Sequence, residues 1–141
     1  MKISTRTRYG LRSMIEIAKG TPGNGIFQKD IALSQELSLK YLDHIIRELK
    51  TARLICNVSG RKSGYILTRK PSEITLFDIH RAFEPDICLV ECLSENFNCG
   101  RCDQCKARGF WSQLNNMIID YFKSVTLEDL IMGKVHFEDL S

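Results

Sequence analysis

Residues 28–70 read QKDIALSQELSLKYLDHIIRELKTARLICNVSGRKSGYILTRK, and the patterning of this stretch decides the fold. Residues 28–36 have the composition of a short helix that ends near Leu37. Ser38 follows, a residue type whose hydroxyl accepts an orphan N–H in the first turn of a helix. Beyond it Leu42, Ile45, Ile46 and Leu49 recur at helical spacing, while Lys40, His44 and Arg47 gather on the opposite side. Residues 54–58 and 65–68 are rich in apolar and aromatic side chains and read as strands. The SGRKSG link at 59–64 supplies the glycines and polar residues of a hairpin tip, and Pro71 closes the segment.

Working outward, residues 7–19 place Leu11, Met14, Ile15 and Ala18 on one helical face. The breaker cluster at 20–25 stops that helix. Downstream, residues 74–84 read as a helix, and residues 86–105 hold a cysteine cluster that fits no long regular element. In the long helix expected over 106–124, Phe110, Leu114, Met117, Ile118, Tyr121 and Phe122 recur at helical spacing, followed by Val125. Thr126 and Asp129 begin a last short helix that stops at Gly133. The expected fold is mainly α with a small β-hairpin wing, a winged helix-turn-helix order followed by a long helix.

Charge divides along the same line. Residues 1–72 carry 14 Lys/Arg and 5 Asp/Glu, whereas residues 73–141 carry 6 and 12. A basic half of this kind faces a polyanion or is simply a solvated surface. The winged order favours the first, because an α-helix fits the major groove of B-DNA and reads base edges there. The candidate DNA-binding residues are Ser38, Lys40, Tyr41, His44 and Arg47 on the capped helix, and Ser59, Arg61 and Lys62 on the wing. Tyr41 equally suits packing at the turn, and His80 and His136, without partners nearby in sequence, read as structural or exposed.

The chain has six cysteines, five of them between residues 88 and 105. Clustering of this kind in a reducing compartment points to a metal site or redox chemistry rather than a disulfide scaffold. Cys99, Cys102 and Cys105 form two consecutive Cys-x-x-Cys steps, and Cys92 adds a fourth thiol. Four thiolates suit an iron–sulfur cluster, the clustered steps tilting toward four irons over two, and they also suit tetrahedral zinc. Cys88 stands open between a spare thiol, a packing residue and a ligand. Cys56, mid-strand, is expected as a small buried hydrophobe. No nucleophile–base pair, phosphate loop or acid pair points to an enzyme. No stretch approaches eighteen apolar residues, and the N-terminus lacks the apolar core of a signal peptide, so a cytoplasmic location without membrane contact is expected.

With these residues laid out, the chain resembles the IscR/NsrR family of bacterial iron–sulfur transcription regulators over nearly its whole length. The resemblance rests on Arg8-Tyr9-Gly10, on Ser38-Leu39-x-Tyr41-Leu42 leading into Leu49-x-x-Ala52-x-Leu54-Ile55, and on the wing from Val58 to Tyr65. It rests also on Cys92, Cys99 and Cys105 followed by Trp111, and on Thr126-Leu127-x-Asp129-Leu130. The resemblance implies a homodimer that binds a near-palindromic site in double-stranded DNA, with a cluster whose loss, oxidation or nitrosylation changes promoter affinity. It divides the chain into a DNA-binding region at 1–72, a connecting helix and cluster loop at 73–105, and a dimerisation helix with a C-terminal helix at 106–141.

The sequence departs from the family in four places. Arg108 stands where some members have a ligating His, and Arg8 and Arg12 stand where others supply a carboxylate or His from the first helix of the partner subunit. Arginine stays protonated and does not ligate iron. Cys102 is additional to the three-cysteine pattern and is expected to replace the missing fourth ligand. In the wing, Ser59 stands where the family often has Arg, so the expected minor-groove contact has either moved to Arg61 or been lost. Two alternatives stay open: a zinc-stabilised regulator without a redox cluster, and an iron–sulfur electron carrier, for which a recognition helix has no use.

Overall fold

The computed structural model describes residues 2–20, 23–59, 63–94, 100–101 and 103–135. Helices α1 (Thr5–Ala18), α2 (Gln28–Gln35) and α3 (Leu39–Thr51) lead into strands β1 (Ile55–Asn57) and β2 (Tyr65–Leu67). Helices α4 (Leu76–Phe83), α5 (Lys106–Ser124) and α6 (Leu127–Ile131) follow, with single 3-10 turns at Pro71–Glu73 and Glu91–Leu93.

Local chemistry sets most of the boundaries. The Ser4 hydroxyl accepts the Thr7 N–H at the start of α1, and the Ser38 hydroxyl accepts the Tyr41 N–H at the start of α3. Helix α2 ends where Glu36 turns left-handed at φ 54°, and the Leu37 N–H closes back on the Ala32 carbonyl at 2.9 Å. This tight stop sets the angle between α2 and α3. The stripe Leu42, Ile45, Ile46 and Leu49 is buried as its spacing requires, joining Met14, Ile17, Ile31, Leu54, Ile79 and Leu127 in one core.

The strands pair antiparallel with Ile55 opposite Leu67, Cys56 opposite Ile66 and Asn57 opposite Tyr65. Ile26 bridges the other edge of β2, exchanging both backbone hydrogen bonds with Tyr65 at 2.8 and 3.0 Å. Gly64 permits this approach, since a Cβ there would fall 2.5 Å from the Asn24 carbonyl oxygen. Cys56 is exposed, contrary to the expectation of a buried hydrophobe. Side chains alternate along a strand, and with Ile55 directed into the core the pleat turns Cys56 to solvent.

Helices α4 and α6 start side by side. Thr75 with Asp78, and Thr126 with Asp129, form two matching capping boxes. The chain segments before them pair as a bridge, with Leu76 N–H on Val125 O at 2.9 Å and Leu127 N–H on Ile74 O at 2.8 Å. Gly133, at φ 69°, ends the last helical turn as expected. His80 is only 1% exposed, its Nε2 2.7 Å from Glu84 Oε2, so of the two readings it is structural; His136 lies outside the described residues.

Helix α5 spans the full length its periodicity predicts, about 28 Å at 1.5 Å per residue. Its apolar stripe is largely bare: Phe110, Met117 and Tyr121 are 59%, 67% and 60% exposed. Contact with the rest of the fold is made along one flank of the stripe, where Leu114, Ile118 and Phe122 are half-buried and Phe122 meets His80 of α4 edge-on at 5.4 Å.

Candidate nucleic-acid interface and cysteine loop

The outer face of α3 carries Lys40, His44 and Arg47, all exposed, and Ser38 stands at its N-terminus with its hydroxyl committed to the cap. Tyr41 is half-buried, its ring edge-on to Tyr9 of α1 at 6.0 Å, so it packs at the turn. Arg12 lies 4.9 Å over the same Tyr9 ring, and its Nε donates to Gln35 at the end of α2. The first helix is therefore tied to the ends of both helices of the helix-turn-helix. Arg8 and Arg12 are exposed on α1.

The wing is braced at its base. Ser59 is exposed, and its N–H donates to Ser63 Oγ at 2.9 Å, while Asn57 Nδ2 donates to the Ser63 carbonyl at 3.2 Å. Arg61 and Lys62 lie outside the described residues. Gln28, which the sequence pattern did not single out, joins three elements. Its Nε2 donates to Asp43 Oδ1 at 3.0 Å and to the Leu39 carbonyl at 3.4 Å, and its Oε1 accepts the Tyr65 hydroxyl at 3.3 Å. Burial, reinforced by the Asp43 carboxylate, pushes the Tyr65 phenol above its ordinary value, which keeps it a donor to Gln28. Helix α3 and the base of the wing are held this way in one fixed arrangement.

The described part of the cysteine loop begins at Cys88, half-buried, whose thiol donates to the Val90 carbonyl at 3.0 Å. Cys92 follows, half-buried in the turn at Glu91–Leu93. Cys105 is exposed and stands directly before α5, making no side-chain capping bond. Cys99 and Cys102 lie outside the described residues. Leu93, Cys105, Arg108, Gly109 and Ser112 line an open hollow of about 310 Å³ between the turn and the start of α5. Cys105 thus faces the hollow, the turn carrying Cys92 forms its other side, and Arg108 sets a cation at its edge. Soft thiolates with a guanidinium to offset their charge fit an iron–sulfur cluster or zinc by donor chemistry. Among the described residues, no three His, Cys, Asp or Glu side chains are gathered as a metal site.

Helix-turn-helix, braced wing, basic face and a long outlying helix together define a winged-helix transcription regulator, not an enzyme. The profile of the Rrf2 family, described as an iron-dependent transcriptional regulator, matches residues 3–133, and the chain belongs to that family. It is 36% identical over 131 residues to protein rrf2 of Nitratidesulfovibrio vulgaris, covering 93% of this chain and 87% of that one. The solved structure of CymR, the global cysteine regulator of Bacillus subtilis, is similar with a TM-score of 0.76 and 35% identity, over 94% of this chain and 97% of that one. The structure of T. potens IscR is similar with a TM-score of 0.72 and 30% identity, over 96% and 89%. No described helix is long and apolar enough to cross a membrane.

Proposed function

We propose that this regulator is a cytoplasmic homodimer that senses through an iron–sulfur cluster held by Cys92, Cys99, Cys102 and Cys105, four irons in preference to two. Its cluster state, set by redox poise, nitric oxide or iron status, then governs affinity for a near-palindromic operator. The donor set carries this reading: five cysteines within eighteen residues, with Cys105 lining a hollow beside Arg108 that the turn carrying Cys92 reaches through Leu93. When bound, such a cluster supplies a centre that exchanges electrons at a potential tuned by its ligands and the surrounding charge. The chain's own residues do the rest. Arg101, Lys106 and Arg108 offset the negative thiolates. Lys40, His44 and Arg47 meet the major groove, with Ser38 and Tyr41 at the N-terminal end of the same helix, while Ser59, Arg61 and Lys62 meet the backbone and minor groove. Phe110, Met117 and Tyr121 supply a face that a second copy covers.

A second reading is favoured by the relation to CymR, 36% identical over 92% of this chain and named for cysteine regulation. In this reading the chain's own thiols respond directly to a small thiol or to oxidation, without metal.

Iron, sulfide and zinc content of anaerobically purified protein, with its visible spectrum and an operator shift assay, separates these readings. Iron and sulfide near stoichiometry with a brown chromophore, diminished in Cys102→Ala, is the expected result. Full cluster content and an unchanged spectrum in Cys102→Ala would remove that residue from the ligand set. Colourless protein with zinc reduces the cysteines to a structural role. Metal-free protein whose operator binding follows thiol oxidation establishes the second reading instead.

A further inference from the structure

We infer that Asn115 is the positioning residue of the cysteine loop, clamping the loop's first segment to α5 so that Cys92 is presented toward Cys105. The inference rests on reading that loop as the sensing site.

Asn115 is the one described residue of α5 that is buried, at 8% exposure, in a helix whose other inward position of note is the aromatic Phe122. A polar amide there needs a reason, because burial without partners is costly. Both ends of the amide are used, and on one short stretch of chain. Asn115 Oδ1 accepts the Leu89 N–H at 2.8 Å, and Asn115 Nδ2 donates to the Ile87 carbonyl at 2.9 Å. The side chain thus pairs with the backbone as a neighbouring strand would, and Cys88 lies between the two held peptide groups. Residues 85–90 belong to no helix or strand, so these bonds satisfy backbone groups beside the buried Ile87.

The clamp is placed to act on the cysteines. Three residues after Leu89 comes Cys92, in a turn that closes through Leu93 N–H on Val90 O at 3.1 Å. The other end of the loop is Cys105, directly before α5, ten residues or about 15 Å along the same helix from Asn115. Both ends of the loop therefore take their position from one rigid element. Without the clamp, the nearest upstream backbone hydrogen bond among the described residues is at Glu84, whose N–H caps α4 on the His80 carbonyl at 2.9 Å.

The test uses the full chain in two variants. Asn115→Leu keeps the volume and removes both bonds. Asn115→Asp keeps the acceptor for Leu89 but sets a carboxylate against the Ile87 carbonyl. In metal-free protein, either variant should lower hydrogen-exchange protection of the Leu89 amide about tenfold. Either should speed alkylation of Cys92 several-fold while leaving that of Cys56, an exposed control on β1, unchanged. Iron and sulfide uptake should fall in parallel. Acidification should restore Leu89 protection in Asn115→Asp alone, because a protonated carboxyl both accepts and donates; a merely space-filling role gives no such rescue. If Asn115→Asp loses its fold, Asn115→Leu carries the test on Leu89 protection and Cys92 reactivity. Unchanged protection and reactivity in the folded variant overturns the inference even if the wild type binds iron. Faster Cys92 alkylation in a protein that binds no iron supports the clamp and refutes only the cluster.

Discussion

Gly10 lies in the middle of α1, where glycine ordinarily costs a helix about 1 kcal/mol relative to alanine. Its place in the fold reverses that expectation. A Cβ at Gly10 would fall far inside van der Waals contact with Cε2 and Cζ of Phe83, the last residue of α4. Phe83 is a buried core side chain, so its ring has little room to withdraw. Overpacking of this kind costs about 1–3 kcal/mol, and the upper end applies where an aromatic ring must move bodily. Setting about 3 kcal/mol against the helix gain of about 1 leaves Gly10→Ala destabilised by about 2 kcal/mol. For a chain of this length that is a fall in Tm of about 6 °C, measured by circular dichroism at fixed protomer concentration. Phe83→Leu removes the outer ring atoms, and in that background Gly10→Ala should be neutral or stabilising. The double-mutant cycle should therefore show a coupling of about 2–3 kcal/mol. A rise in Tm for Gly10→Ala alone, or a coupling near zero, would refute the packing of α1 on α4 argued here.

Two further predictions test other parts of the molecule. Arg47→Ala should weaken binding to a preferred operator by about 1–3 kcal/mol at fixed salt, read by fluorescence anisotropy, and relax sequence preference; unchanged affinity and preference would mean that this face of α3 does not meet the bases. The Asp129 carboxyl is held below its ordinary value by the backbone N–H and then the hydroxyl of Thr126, with Lys134 adding attraction. A depressed carboxyl stabilises the fold above its unfolded value and loses that contribution as pH falls through the folded one, so the α6 cap weakens only below about pH 4. A carboxyl titration by NMR should place Asp129 below an unstructured aspartate, and Asn in its place should abolish that part of the acid dependence; a midpoint at or above the ordinary value would contradict the capping box.

What the sequence made legible was local. Ser38 and Thr126 cap within three residues of themselves, and the α5 boundaries follow from a period repeated over five turns. The Cys56 strand defeated that logic, because a run such as Leu54-Ile55-Cys56 does not announce which face is buried until pairing fixes the register. Gln28 and Asn115 were invisible for another reason. Their partners stand 11 to 37 residues away, and an amide at a helical position looks the same whether it meets water or a distant peptide group. Tyr41 lay between these cases: its dual suitability was readable, and its packing on the Tyr9 ring needed the fold. The spacing of the cysteines is a feature of the sequence alone, whereas the hollow between the turn at Cys92 and Cys105 needed the fold.

Helix α4 is where these parts meet, and its size bears on how a regulator of this design works. In eight residues it packs Phe83 against α1, sets His80 edge-on to Phe122 of α5, and runs directly into the segment held by Asn115. Just past its last turn, Glu84 holds His80 at 2.7 Å through one oxygen and accepts the Ser4 N–H at 3.1 Å through the other, tying the start of α1 to the same junction. A tenfold change in operator affinity requires a coupling of about 1.4 kcal/mol between loop and DNA face. One intramolecular hydrogen bond contributes about 0.5–1.5 kcal/mol net, and a buried group left without its partner costs about 1–3 kcal/mol. Shifting one or two of the bonds at this junction is therefore enough, without any unfolding of the winged helix. The coupling is expected to run through α4, because that short helix contacts both the element that orients the recognition helix and the element that carries the cysteines.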